Sequence, residues 1–165
     1  MKRILKIVGV ILVVFIGFLF WYDYAFSMDV IEEENYNENN NGKNLLIASQ
    51  GSDYKNEIVA NVVNEFKDKD IKIKVIDVTT IGDEDVQDWD AFLIMHTIEI
   101  WEPEENAKSF LDANYDSENM VVLATSGSGD IQMDGIDGMT GASIMENVQD
   151  KSNVIISKLI PLLAP

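Results

Sequence analysis

Side chains able to do chemistry gather in three short segments of this chain, SQGSDYK (49–55), HTIEIW (96–101) and TSGSGDIQMDGIDGMTGAS (125–143). The first brings Ser49, Gln50, Gly51, Ser52, Asp53, Tyr54 and Lys55 to the start of an amphipathic stretch. A helix beginning there offers unpaired N–H groups, with hydroxyls beside them, to an anion. The second segment holds the sole histidine, His96, together with Thr97 and Trp101. The third packs five glycines, three aspartates and five hydroxyl side chains into nineteen residues. Its glycines permit close approach of a ligand to the backbone, and Thr125, Ser126, Gly127, Ser128, Gly129 and Asp130 supply hydroxyl and N–H donors. Asp130, Asp134 and Asp137 offer a competing chemistry, convergence on a hard cation such as calcium, although their spacing is not that of an EF-hand.

Side-chain catalysis finds no constellation. There is no Ser–His–Asp order and no metal-ligand cluster, and His96, with no nucleophile to serve, reads as a hydrogen-bonded structural residue at a strand end. The absence of cysteine excludes a disulfide, a thiolate metal site and an iron–sulfur cluster.

The three segments are positioned by alternating strands and helices. NLLIAS (44–49) is an apolar run, and YKNEIVANVVNEFK (54–67) spaces Ile58, Val59, Val62, Val63 and Phe66 as one helix face. IKIKVIDV (71–78) alternates lysine with isoleucine, as a strand near a sheet edge does. DAFLIMHT (90–97) and NMVVLATS (119–126) are continuous apolar runs suited to strands covered on both faces. Between them PEENAKSFLDAN (103–114) places proline at a first helical position with acids behind it, and NVIISKLI near 150–160 predicts a last helix. MTGAS (139–143) predicts a short fifth strand before that helix. This order predicts an α/β three-layer sandwich with right-handed crossovers, its ligand crevice beyond the carboxyl ends of the strands. The three chemical segments follow strands one, three and four, and would meet there.

The N-terminus has another character. MKRILK precedes IVGVILVVFIGFLFWY, sixteen residues without a charge. At about 1.5 Å per residue that run spans roughly 24 Å against a hydrocarbon core of about 30 Å, with Trp21 and Tyr22 as an interfacial belt. Residues 1–27 are therefore read as a transmembrane anchor, N-terminus cytoplasmic and the following domain outside. The alternative is a cleaved signal peptide ending at Ala25-Phe26-Ser27. MDVIEEENYNENNNGK (28–43), without hydrophobic period, reads as an acidic linker, and 44–165 as the folded domain. Net charge is -17 for the chain, which excludes nucleic acid as a partner and favours solubility and basic partners.

With those elements in place, LLIASQGSDYKNEIVANVV, WDAFLIMHTIEIWEPEENAKSFL and NMVVLATSGSGD resemble the first, third and fourth strand units of flavodoxins, over roughly 44–163. The resemblance implies a five-stranded parallel sheet of order 2-1-3-4-5 and an FMN site at the tips of strands one, three and four. It also implies that residues 49–55 face the phosphate, that His96, Thr97 and Trp101 lie beside the flavin with Trp101 stacked on its ring, and that residues 125–130 meet the ring edge. In flavodoxins the first loop reads Ser/Thr-x-Thr-Gly-x-Thr, and SQGSDYK departs from that in spacing and chemistry. Asp53 is placed to act as the helix N-cap, contributing about 1 kcal/mol and repelling a phosphate dianion, which Lys55 offsets only in part. Separately, DGMTGAS (137–143) is similar to the Asp-x-x-Ser/Thr-Gly-Ala-Ser/Thr motif of extracytoplasmic FMN-binding proteins, which implies covalent flavin at Ser143.

Two functions of different class follow. One is a membrane-tethered carrier holding FMN and passing electrons at the outer face of the membrane to a basic redox or protein partner. The other is a flavin-free flavodoxin-like binding or scaffold module that keeps the fold without the phosphate site.

Overall fold

Runs of apolar residues with no polar interruption require cover on both faces, and the structure supplies it. In the computed structural model, residues 2–26, 28–99, 101–116 and 118–164 are described. Strand β2 (Lys43–Ser49) lies between β3 (Ile71–Asp77) and β4 (Ala91–Glu99), parallel to both. Beyond β4 lie β6 (Met120–Thr125) and β7 (Met139–Gly141), also parallel.

The two-residue period of a strand sorts the side chains. Leu45, Ile47, Leu93, Met95, Val121 and Leu123 enter the core beneath helices α2 (Asp53–Phe66) and α4 (Val148–Leu162). Leu46, Ala48, Phe92, Ile94 and Val122 enter a second core, shared with Phe110 and Leu111 of α3 (Glu105–Asn114) and with Ile81 of a 3-10 segment at Val78–Asp83. In α2 the buried residues are Tyr54, Lys55, Ile58, Val62, Val63 and Phe66; Val59, expected on the same face, is half-buried at its margin. The link from β3 to β4 forms only 3-10 segments, at Val78–Asp83 and Val86–Asp88, and no α-helix. On the flank this leaves open, Lys74 of β3 pairs with Glu84 at 2.7 Å and with Glu33 at 3.5 Å.

The sheet departs from the five parallel strands expected. It is mixed and seven-stranded, ordered β1-β3-β2-β4-β6-β7, with β5 (Glu102–Pro103) hydrogen-bonded to β4. Strand β1 (Glu34–Tyr36) runs antiparallel to β3, pairing Asn35 with Lys74. The acidic segment 28–43 thus contributes an edge strand that covers the open N–H and C=O groups of β3, a need that composition does not reveal. Pro103 is likewise in β5 and not at the first position of α3. Glu104 precedes that helix instead, and its carboxylate accepts the Ala107 N–H at 2.6 Å.

The expectation of a membrane span is overturned as well. Helix α1 (Lys2–Phe26) carries the apolar run, but among the described residues no helix is long and apolar enough to cross a membrane. The uncharged run spans only roughly 24 Å, short of the hydrocarbon thickness of about 30 Å. The single-pass anchor, the membrane as a partner and the outward-facing localisation built on it are therefore set aside. The rival signal-peptide site includes Ser27, which lies outside the described residues.

The turn out of β1 rests on one side chain. Asn37 has φ 57°, a left-handed conformation that asparagine tolerates better than alanine. Its Nδ2 donates to the carbonyls of Lys67 at 2.7 Å and Ile71 at 3.0 Å, joining the edge strand to the α2–β3 turn. Asn37→Ala is expected to lower unfolding stability by about 1 to 2 kcal/mol, from the strained backbone and the lost bonds together. Urea denaturation measures it, and a loss under about 0.5 kcal/mol would show that the turn does not depend on Asn37.

Candidate functional site

Parallel pairing brings the ends of β2, β4 and β6 to one rim of the sheet, with Thr97 opposite Thr125 in register. At the end of β2 the chain turns directly into α2. The N-cap is Ser52, with φ -163° and ψ 153°, and its Oγ accepts the Lys55 N–H at 3.3 Å. Asp53, expected as the cap, is instead the first helical residue and is exposed. The extended backbone that a cap requires falls at residue 52, and a serine hydroxyl is short enough to reach back to the third helical N–H. The Asp53 carboxylate still lies in the first turn, where the helix dipole favours negative charge.

Lys55 is the unexpected member of this group. It has no exposed surface, and its Nζ donates to Thr97 Oγ1 at 2.7 Å. Thr97 Oγ1 lies 3.3 Å from Thr125 Oγ1, and the Thr97 N–H donates to Gln50 Oε1 at 2.5 Å. Gln50 in turn donates its backbone N–H to Met95 O at 3.1 Å, and Thr125 Oγ1 donates to His96 O at 3.3 Å. Gln50, Lys55, Thr97 and Thr125 therefore make one network across the three strand ends. The ion pairs found among the described residues use Lys43, Lys69, Lys74 and Lys108, and none uses Lys55. Burial pushes the Lys55 pKa down to about 8, against an opposing pull from the Glu99 charge.

His96 is buried under this network. Burial lowers its pKa, the Thr97 carbonyl 3.3 Å from Nδ1 opposes that, and the Lys55 charge adds to the lowering. Its Nε2 has no hydrogen-bond partner among the described residues. Sealing the ring from solvent in this way disfavours its charged form. Ser49 is also buried, its Oγ donating to Gln50 O at 3.1 Å, and the buried Tyr54 hydroxyl has no partner.

The loop after β6 spends much of its polar chemistry on itself. Ser126 Oγ accepts the Gly129 N–H at 3.0 Å, the Ser126 N–H donates to Gly141 O at 3.1 Å, and Ser128 Oγ donates to Asp130. Gly129, at φ 79°, passes so close under Ala142 that a Cβ there would stand 2.5 Å from the Ala142 nitrogen. Among the described residues no group of three or more His, Cys, Asp or Glu side chains could hold a metal ion. Asp130, Asp134 and Asp137 are thus not gathered into such a group: the loop turns at Gly129 and again at Gly135, and Asp130 is held by Ser128. Gly127 is exposed at the tip, and Ser143 is exposed just beyond β7.

Trp101 occupies a different part of the rim. It sits in the tight turn between β4 and β5 at φ 70°, rare for a bulky residue, and its side chain is 80% exposed. With Ile98, Pro103, Ile131 and Met133 it lines a groove of about 700 Å³, a size suited to a small molecule. Glu102, Glu105 and Asp134 edge that groove, and none of residues 49–55 lines it.

One contact had no counterpart in the sequence reading. The chain leaving α1 returns to the first loop, where the Asp29 N–H donates to Gly51 O at 3.2 Å and the Gly51 N–H donates to Asp29 O at 2.8 Å. Two residues on, the Ile31 N–H donates to Asp77 Oδ2 at the end of β3, at 3.0 Å. A Cβ on Gly51 would stand 2.2 Å from Asp29 O, so glycine is required by this crossing and not by its own φ. No periodicity in 28–33 marks the segment, and Gly51 was the single available hint.

The uncompensated Lys55 has a measurable consequence. Its folded pKa lies below the unfolded value of about 10.4, so the unfolded chain holds more protons and stability rises with pH between the two. Unfolding free energy is expected to rise by about 2 kcal/mol from pH 7 to 9.5, and Lys55→Met is expected to flatten that rise. Equal pH slopes for the two proteins in urea melts would mean that Lys55 is not a buried cation.

No protein-family model matches the chain, and no curated protein matches it. Among solved structures it is similar to general stress protein 14 from Treponema denticola, crystallised in complex with FMN. Identity is 16%, the match covers 70% of this chain and 79% of that chain, and the TM-score is 0.34.

Proposed function

We propose that this chain is a flavodoxin-like protein that binds FMN at the ends of β2, β4 and β6 and carries electrons through it. The observation that supports this reading is Lys55, a cation with no exposed surface and, among the described residues, no ion-pair partner, held in the first turn of α2. A buried charge without a counter-charge is costly, and an anion bound at the helix N-terminus would compensate it. The phosphate of FMN is such an anion. Ser52, Tyr54 and Lys55 would hold it, with Gln50, Thr97 and Thr125 supporting Lys55 from below. Ser49 and His96 lie under the site as packing residues, and Gly127 to Asp130 are available to the ring, whereas Trp101 lines the separate groove beside α3. When bound, the flavin supplies the redox chemistry, and the protein orients it and limits its contact with water.

A second reading is favoured by a specific observation. The Gly51 N–H, a natural phosphate donor, is already bonded to Asp29 O, and Asp53 adds a negative charge in the same turn. This is what a flavin-free binding module would keep. Quenching of FMN fluorescence by the full chain separates the two. The flavin reading expects saturable quenching at micromolar FMN, weakened roughly tenfold by Lys55→Met and strengthened by Asp53→Thr, with weaker binding of phosphate-free riboflavin. A chain that leaves FMN fluorescence unchanged up to about 100 µM is flavin-free.

A further inference from the structure

We propose that residues 28–31 form an internal strap that occupies the anion position of the first loop and must swing away before a phosphate group can bind. The inference rests on the reading of that loop as a phosphate site, and it adds the regulation of that site.

The strap presents an acceptor where a ligand oxygen belongs. Asp29 O accepts the Gly51 N–H at 2.8 Å, one residue before the Ser52 cap, so a backbone carbonyl takes the donor an anion would use. The crossing is close as well as bonded, since even a Cβ on Gly51 would meet Asp29 O at 2.2 Å. A phosphate at Gly51 and the strap therefore exclude each other sterically. The strap also brings the Asp29 carboxylate to the mouth of a loop that already carries Asp53, so its departure removes negative charge from the site.

The attachment is light. Among the described residues, two Asp29–Gly51 bonds and the bond from the Ile31 N–H to Asp77 Oδ2 tie 28–31 to the domain by hydrogen bonding; the side chains of Asp29 and Val30 are exposed, while Ile31, half-buried, packs on the core and anchors the strap at its hinge. Behind it, β1 is fixed independently on β3 and by Asn37. The strap can open at residue 31 without loss of the edge strand, which is the pattern of a segment of low local stability. Asp77 also stays occupied when the strap leaves, because its Oδ1 accepts the Thr79 N–H and hydroxyl at 3.0 and 2.6 Å.

Competition between strap and ligand is read in the full chain. Two variants loosen the strap by different routes, Gly51→Ala by collision with Asp29 O and Ile31→Pro by removing the N–H that Asp77 accepts. Both are titrated with FMN, riboflavin and inorganic phosphate, and hydrogen exchange of the Asp29 and Ile31 amides is followed in the unaltered chain. The expected result is roughly tenfold tighter binding of FMN and phosphate by the variants, riboflavin unchanged, and faster exchange at Asp29 and Ile31 when phosphate or FMN is added. If FMN binds no variant but phosphate still speeds that exchange, the flavin reading fails and the strap stands. If neither ligand changes the exchange and neither variant binds phosphate more tightly, the strap is overturned.

Discussion

The burial of β2 on both faces and both edges is the constraint from which the rest of the structure follows. Leu45, Leu46, Ile47 and Ala48 have no exposed surface, and the strand is hydrogen-bonded to β3 on one side and β4 on the other. Polar backbone groups in such a position must be paired, and the parallel ladders pair them while leaving both faces free for helices. Because β2 cannot slip by one residue without exchanging its two apolar faces, its carboxyl end is fixed relative to those of β4 and β6. The loops at that rim are located by the core, not by their own sequences.

What the rim then holds is an electrostatic compromise. Lys55 begins the second half of the first turn of α2 and points inward, where Thr97 gives it one neutral acceptor and, among the described residues, no carboxylate is close enough to pair. A neutral partner does not replace the hydration of an ammonium group, which is why its pKa falls. The α2 N-terminus adds positive potential at the same place, and Asp53 and the strap at Asp29 counter it from outside. The positive end of the helix is thus met from inside the chain, by the Asp29 carbonyl and the Asp53 carboxylate.

The buried network and the Trp101 groove occupy different parts of the rim for reasons of topology. The network of Gln50, Lys55, Thr97 and Thr125 lies where α2 begins, whereas Trp101 opens between the β4–β5 turn and the loop after β6, beside α3. Trp101 precedes β5 where the chain runs back antiparallel along β4, with Pro103 paired to Ile98 instead of starting a helix. Its left-handed backbone and its exposure are both consequences of that pairing.

Much of the architecture was legible from patterning. Apolar runs without interruption located β2, β4 and β6, the Ile58–Phe66 spacing located α2, and MTG became β7, because burial selects for hydrophobicity at a period the backbone imposes. Residues 49–55, 97 and 125 were also legible as neighbours, since parallel βαβ units bring the ends of their strands together. The cap at Ser52, the inward turn of Lys55 and the use of 28–36 to cover β3 and Gly51 were not. Local composition treats a lysine as a surface residue and an Asn- and Glu-rich stretch as solvated. By itself the sequence determined which residues are apolar, at what period, and hence which elements form. Only the tertiary structure decided which edge lacked a partner and which donor lacked an acceptor, because those needs arise between segments distant in the chain.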